Sequence, residues 1–174
     1  MNGSPHKLLD AAGISRALDD MAQRIAEGPQ NAPLALVGLL SRGDVVARRL
    51  AERLNRLGVP VLCGAIDISL YRDDVMKLEN RPPLRSSNLP FSTDDMRLVL
   101  VDDVLYTGRT IRAALNAIFD YGRPSRVELA CLIDRNGREV PIRADYAGLC
   151  LDDPERKIRL SLVETEGVDE VTIG

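Results

Sequence analysis

Histidine and cysteine are scarce in this chain, and each shortage removes a chemistry. The single histidine, His6, leaves nothing from which to build a Ser-His-Asp triad or a histidine-rich metal site. Within the polar opening Met-Asn-Gly-Ser-Pro-His it reads as a solvated tail residue rather than a general base. The three cysteines, Cys63, Cys131 and Cys150, lie far apart in apolar runs without Cys-x-x-Cys spacing, so zinc and dithiol chemistry drop out and reduced core thiols are expected. No apolar run approaches the roughly 18 residues of a membrane span, and the opening lacks a signal peptide's apolar stretch, so a soluble, cytoplasmic protein is expected. A strong excess of one charge is missing too. The formal net charge is −3 and the pI about 5.3, which excludes a global field drawing the chain to nucleic acid or an anionic membrane; any basic site must be local. Carboxylates, arginines and backbone amides are left to carry the chemistry.

With 174 residues, 45% of them hydrophobic, a single domain over 1–174 can enclose a core. Ile14, Leu18, Met21 and Ile25 recur at helical spacing until Gly28-Pro29, which predicts an amphipathic helix near 10–27. The apolar run Leu34 to Leu40, a helical pattern at Val46, Leu50, Leu54 and Leu57 stopping at Gly58, and the run Val61 to Leu70 make one βαβ unit. Val99 to Val101, a helix through Ile111, Leu115 and Ile118 ending near Gly122, and Val127 to Ile133 make another. Alternating strands and helices predict an α/β fold with a central parallel sheet flanked by helices. From Tyr71 to Arg97 no period holds; so long a stretch is either a functional lid or a surface excursion such as a hairpin. Glu164, Glu166, Asp169 and Glu170 read as a solvated acidic end.

Residues 99–110, Val-Leu-Val-Asp-Asp-Val-Leu-Tyr-Thr-Gly-Arg-Thr, carry most of the chemical information. An apolar strand leads to Asp102 and Asp103 at its carboxyl end, where open α/β sheets bind ligands. Thr107, Gly108, Arg109 and Thr110 then supply amides and hydroxyls at a helix start suited to phosphate. Gly108 lets the backbone approach a dianion without a Cβ in the way. Paired carboxylates accept from ribose hydroxyls, and beside phosphates they favour a hard cation that keeps its waters, Mg²⁺. The order therefore predicts a sugar-phosphate site.

This segment resembles the phosphoribosyl pyrophosphate (PRPP) signature of type I phosphoribosyltransferases, and its Val-Leu-Tyr-Thr-Gly-Arg-Thr form resembles that of the PyrR family of pyrimidine-operon regulators and uracil phosphoribosyltransferases. Val37-Gly38 with Ser41-Arg42-Gly43, Ile66-Asp67-Ile68 with Leu70-Tyr71-Arg72-Asp73-Asp74, Gly122-Arg123-Pro124-Ser125, and Asp134-Arg135 through Arg138-Glu139-Val140-Pro141-Ile142-Arg143-Ala144-Asp145-Tyr146 follow the family in the same order. The resemblance implies a type I phosphoribosyltransferase fold with a small hood, and transfer of ribosyl 5′-phosphate from PRPP to N1 of uracil, giving UMP and pyrophosphate. It implies a PRPP site of Ser41, Arg42, Gly43, Val101, Asp102, Asp103, Val104, Leu105, Tyr106, Thr107, Gly108, Arg109 and Thr110. Asp102 and Asp103 would be catalytic and face Mg²⁺, loop 106–110 would hold the 5′-phosphate, and Ser41-Arg42-Gly43, otherwise an ordinary tight turn, would grip pyrophosphate. A non-proline cis peptide is expected between Ser41 and Arg42.

By the same resemblance residues 72–95 form a mobile lid, with Tyr71, Arg72 and Arg81 approaching pyrophosphate. Asp134 and Arg135 would serve the base, and Tyr146 either stacks on it or is a packed strand residue. Asp152 and Asp153 either touch Mg²⁺ or begin the turn before Pro154. PyrR proteins also bind pyrimidine-operon leader RNA when UMP is present and promote transcription attenuation. Arg138 and Arg143 match positions linked to RNA contact, in a segment from Arg109 to Arg143 that is locally positive. Against this, Asp19 and Gln23 stand where other regulators carry a threonine and a histidine, and Asp19 with Asp20 would repel phosphates. A homo-oligomer, dimer or higher, is implied. The alternatives are a purine phosphoribosyltransferase with an altered hood and an RNA regulator with vestigial catalysis.

Overall fold

The computed structural model describes residues 6–71, 87–153 and 156–174. The chain runs β1 (His6–Leu9), α1 (Ala11–Ala26), β2 (Leu34–Leu39), α2 (Gly43–Arg56), β3 (Val61–Ile66), a 3₁₀ turn (Ser69–Tyr71), β4 (Arg97–Leu105), α3 (Arg109–Ile118), β5 (Arg126–Arg135), β6 (Tyr146–Leu151), β7 (Ile158–Ser161), α4 (Val163–Glu166) and β8 (Glu170–Ile173). Every residue of β2 is buried, as a strand must be when both faces of its sheet are covered. It lies inside a five-stranded sheet ordered β3-β2-β4-β5-β6, parallel throughout.

Strand alternation divides the core. Leu36, Val99 and Val101 pack with Ile14 and Met21 of α1 and with Val46, Leu50 and Leu54 of α2. Val37, Leu39, Leu98 and Leu100 pack with Ile111, Ala114 and Ile118 of α3. The α1 helix starts where the expected pattern put it, because Asp10 accepts from the Gly13 amide at 2.8 Å and satisfies a leading donor. No described helix is long and apolar enough to cross a membrane.

Both chain ends build a second, antiparallel sheet, β1-β8-β7. This is the hood. His6 belongs to it, paired with Ile173, and is not part of a free tail. The acidic end is not simply solvated either. Arg49 of α2 binds Glu164 at 2.5 Å and Asp169 at 2.8 Å, which fastens the hood to the sheet domain, and Lys7 binds Glu170 at 3.0 Å across β1 and β8 within the hood. The thiols also divide: Cys131 is buried, Cys63 is intermediate, and Cys150 is exposed where an apolar run had implied a core residue.

Most of the expected lid, with Arg72 and Arg81, lies outside the described residues. Its later part, 87–95, packs on the sheet edge. Asn88 and Ala65 exchange backbone hydrogen bonds of 2.8 and 2.9 Å, and Thr93 has no exposure.

Candidate active site

Parallel strands bring their carboxyl ends, and the turns that follow them, to one edge. β4 runs on to Leu105, four residues past the expected end of the strand, so Asp102 and Asp103 sit within it and point to opposite faces. Asp102, 6% exposed, follows Leu98 and Leu100 on the α3 face. Asp103 follows Val99 and Val101 on the α2 face. The Asp103 amide donates to Asp102 Oδ1 at 2.9 Å, and the Val104 amide donates to Asp103 Oδ1 at 2.8 Å, so each carboxylate is steadied by backbone.

On the α3 side the chain turns through 106–108. Gly108 has φ 86°, and a Cβ there would lie 2.7 Å from Val140 Cγ2, so both conformation and space require glycine. The N-cap of α3 is Gly108, which has no side chain to offer, and the Arg109 amide makes a long bond of 3.3 Å, to the Thr107 hydroxyl. The segment after β5 forms the outer wall: the Glu139 amide donates to the Thr107 carbonyl at 3.0 Å, and Arg109 binds Glu139 at 2.5 Å.

On the α2 side the non-proline cis bond joins Leu40 to Ser41, one bond earlier than expected. Arg42, next in the turn, takes a left-handed φ of 73°. Gly43 lets α2 press on β4, since a Cβ would lie 2.6 Å from the Val101 carbonyl. Arg42 donates through Nε and Nη2 to Glu166 Oε1 at 3.1 and 2.6 Å, and its Nη1 stands 3.9 Å from Asp103 Oδ2. Glu166 Oε2 accepts from the Leu162 amide at 2.9 Å and from the Thr165 hydroxyl. These donors, the Leu162 amide foremost and then Thr165 and Arg42, hold its carboxyl down to about 2.

Beyond the carboxyl ends of β5 and β6 is a cavity of about 440 Å³ lined by Asp134, Asn136, Ile142, Arg143, Cys150 and Asp152, among others. Asp134 is held by Arg138. Arg138 also donates to the carbonyls of Ile142 at 2.8 Å, Arg135 at 2.8 Å and Tyr106 at 2.7 Å, so it ties the 106–108 turn to the cavity wall. Arg143 is exposed at the cavity. Arg135 stacks over the Tyr106 ring, 4.2 Å from its centroid, and donates to the Arg156 carbonyl at 2.8 Å; this braces the turn. Asp152 pairs with Asn136, and Asp153 accepts from the Arg156 amide at 3.2 Å, which fits the turn reading of that pair.

Two expected residues lie elsewhere. The Tyr71 hydroxyl donates to Asp120 at 2.5 Å, past the C-terminal end of α3 and away from the 106–108 turn at its start. Tyr146 opens β6, and its hydroxyl accepts from Arg97 Nη2 at 2.9 Å and donates to Glu128 at 3.3 Å. Both partners stand near the amino ends of their strands, so Tyr146 is the packed strand residue and does not stack on a base. Reading the sequence missed Glu166 and Arg138 as site organisers. Glu166 lies 124 residues from Arg42, and no local pattern links them.

Residues 6–164 match the phosphoribosyl transferase domain family. The Bifunctional protein PyrR of Akkermansia muciniphila is 66% identical over 166 residues, covering 95% of this chain and 94% of its own length. That of Elusimicrobium minutum is 46% identical over 167 residues, covering 94% and 93%. Among solved structures, the hypoxanthine phosphoribosyltransferase of Trypanosoma cruzi superposes with a TM-score of 0.73 over 96% of this chain and 94% of its own, at 23% identity, a likeness of fold alone. With the domain match nearly end to end and such identity spread over the whole length, the chain belongs to the phosphoribosyltransferases and, among them, to the PyrR family.

Proposed function

We propose that the chain transfers ribosyl 5′-phosphate from PRPP to uracil, forming UMP and pyrophosphate, and that UMP in the same site promotes binding to pyrimidine-operon leader RNA. One observation carries the catalytic half: Asp102 and Asp103 stand in one strand with an uncapped helix start on one face and the Arg42 turn on the other. A PRPP molecule spans that distance, with its 5′-phosphate on 106–110, its ribose hydroxyls on the carboxylates and its pyrophosphate at 41–43. Holding both ends aims C1′ at the base cavity and removes much of the entropy cost of reaction. Asp103 then stabilises the positive charge that grows on the sugar as pyrophosphate leaves. Asp134 and the backbone of the cavity wall read uracil.

Magnesium fits these residues as an ion shared with the donor. Among the described residues no three metal-binding side chains cluster; Asp103, partly exposed on the α2 face beside Arg42, offers a single carboxylate of the kind that suits a cation keeping its waters and binding substrate phosphates. The ion would offset the charge of the departing pyrophosphate.

For RNA, the exposed Arg143 beside the cavity is the residue we assign, since UMP bound there can alter its setting. Asp19, paired with Arg53 at 2.7 Å, is partly neutralised and less repulsive than its sequence suggests. The test compares uracil, hypoxanthine and guanine as acceptors and measures leader-RNA affinity with and without UMP on one preparation. Uracil alone should be consumed, and UMP should raise RNA affinity. Arg143→Ala should weaken that binding and flatten its salt dependence while sparing turnover. Preference for a purine, or RNA affinity indifferent to UMP, overturns the corresponding half.

A further inference from the structure

The geometry around Arg42 points to Glu166 as a positioning residue that holds this guanidinium ready for the pyrophosphate end of the donor; we propose this role on the strength of the PRPP assignment above. Arg42 begins α2 with a left-handed φ of 73° and no side-chain cap, on a turn that by itself leaves a long side chain many rotamers. One oxygen of Glu166 takes two N–H groups from a single edge of the guanidinium, at 3.1 and 2.6 Å. The opposite nitrogen, Nη1, is thereby directed toward Asp103, where it stops at 3.9 Å. That separation is too long for a hydrogen bond. It leaves this edge directed at the place where the leaving group departs.

Glu166 is itself held in place. Its second oxygen accepts from the Leu162 amide and the Thr165 hydroxyl, and the short α4 turn is anchored separately, because Arg49 grips Glu164 and Asp169. Removing the Glu166 carboxylate should therefore free Arg42 without releasing the hood. An arginine fixed in advance loses less side-chain freedom on binding than a free one, which corresponds to a threefold to tenfold gain in donor affinity.

The test measures binding of PRPP with magnesium, and of magnesium pyrophosphate alone, to wild type, Glu166→Ala, Arg42→Ala and the double variant. It adds KM and kcat for both substrates. Glu166→Ala should weaken PRPP and pyrophosphate about fivefold and raise KM for PRPP by a similar factor. KM for uracil should stay unchanged, and Glu166→Gln, which keeps an acceptor oxygen, should restore part of the loss. In the Arg42→Ala background Glu166→Ala should have no further effect, because Glu166 acts only through Arg42. An equal loss in that background would make Glu166 merely structural, and tighter PRPP binding by Glu166→Ala would make it a competitor of pyrophosphate; either result overturns the role. Unchanged affinity overturns it as well, while leaving the proposed function intact. A wild-type chain that binds no PRPP removes both.

Discussion

At the amino ends of β4 and β5, Arg97 and Glu128 are 1% and 3% exposed, and nearly every polar atom is used. Arg97 donates to Glu128 at 2.7 Å, to the Ile25 and Pro29 carbonyls at 3.0 and 3.3 Å, and to the Tyr146 hydroxyl at 2.9 Å. Arg126 closes the other oxygen of Glu128 at 3.0 Å. At the carboxyl ends of the same sheet, Arg42 and Asp103 are partly exposed and stand 3.9 Å apart, an ion pair too long for a hydrogen bond, and a left-handed arginine is tolerated. The contrast separates structure from site: buried charges are stable only when every bond is made, whereas a site keeps strain and incomplete pairing for its ligand.

The sharpest way to break this comparison is Arg97→Met. It leaves the buried Glu128 carboxylate with Arg126 as its remaining charged partner and should cost about 3–5 kcal/mol. Thermal unfolding should fall by about 10 °C in a domain of this size, while turnover per folded molecule, measured well below that temperature, stays near wild type. Asp103→Asn should do the reverse, lowering kcat/KM about a hundredfold and moving the unfolding midpoint by no more than about 2 °C. Loss of stability in the second variant, or of chemistry in the first, would blur the two edges into one. The smallest effect concerns pH. Glu166 has its carboxyl held at about 2 in the fold, below the ordinary value, so its contribution to stability is complete above the unfolded value near 4.5 and is lost as pH falls through about 2. The unfolding-temperature gap between wild type and Glu166→Ala should be constant from pH 7 to about 5 and narrow toward pH 2. A gap that stays open at pH 2 would place the contribution elsewhere.

Legibility followed range. The apolar runs at 34–40 and 127–133 and the helical spacing of Ile14, Leu18, Met21 and Ile25 became β2, β5 and α1, because each is decided by which face its own residues must bury. The strand, turn and helix start at 102–110 were readable for a similar reason: carboxylates, glycine and helix start are contiguous. Val99 to Val101 proved only part of β4, which continues through two aspartates because pairing with β5 holds the backbone extended regardless of polarity. Tyr146 was ambiguous in sequence and settled by Arg97, 49 residues away.

What the sequence determined alone was therefore local: the order of strands and helices, the turn that needs glycine at 108, and the consecutive carboxylates. The tertiary structure decided which distant charges met. It set Glu166 on Arg42 and Arg49 on the hood. An ion pair depends on where two side chains end in space, and for partners more than a hundred residues apart that place exists only after the sheet and hood have formed.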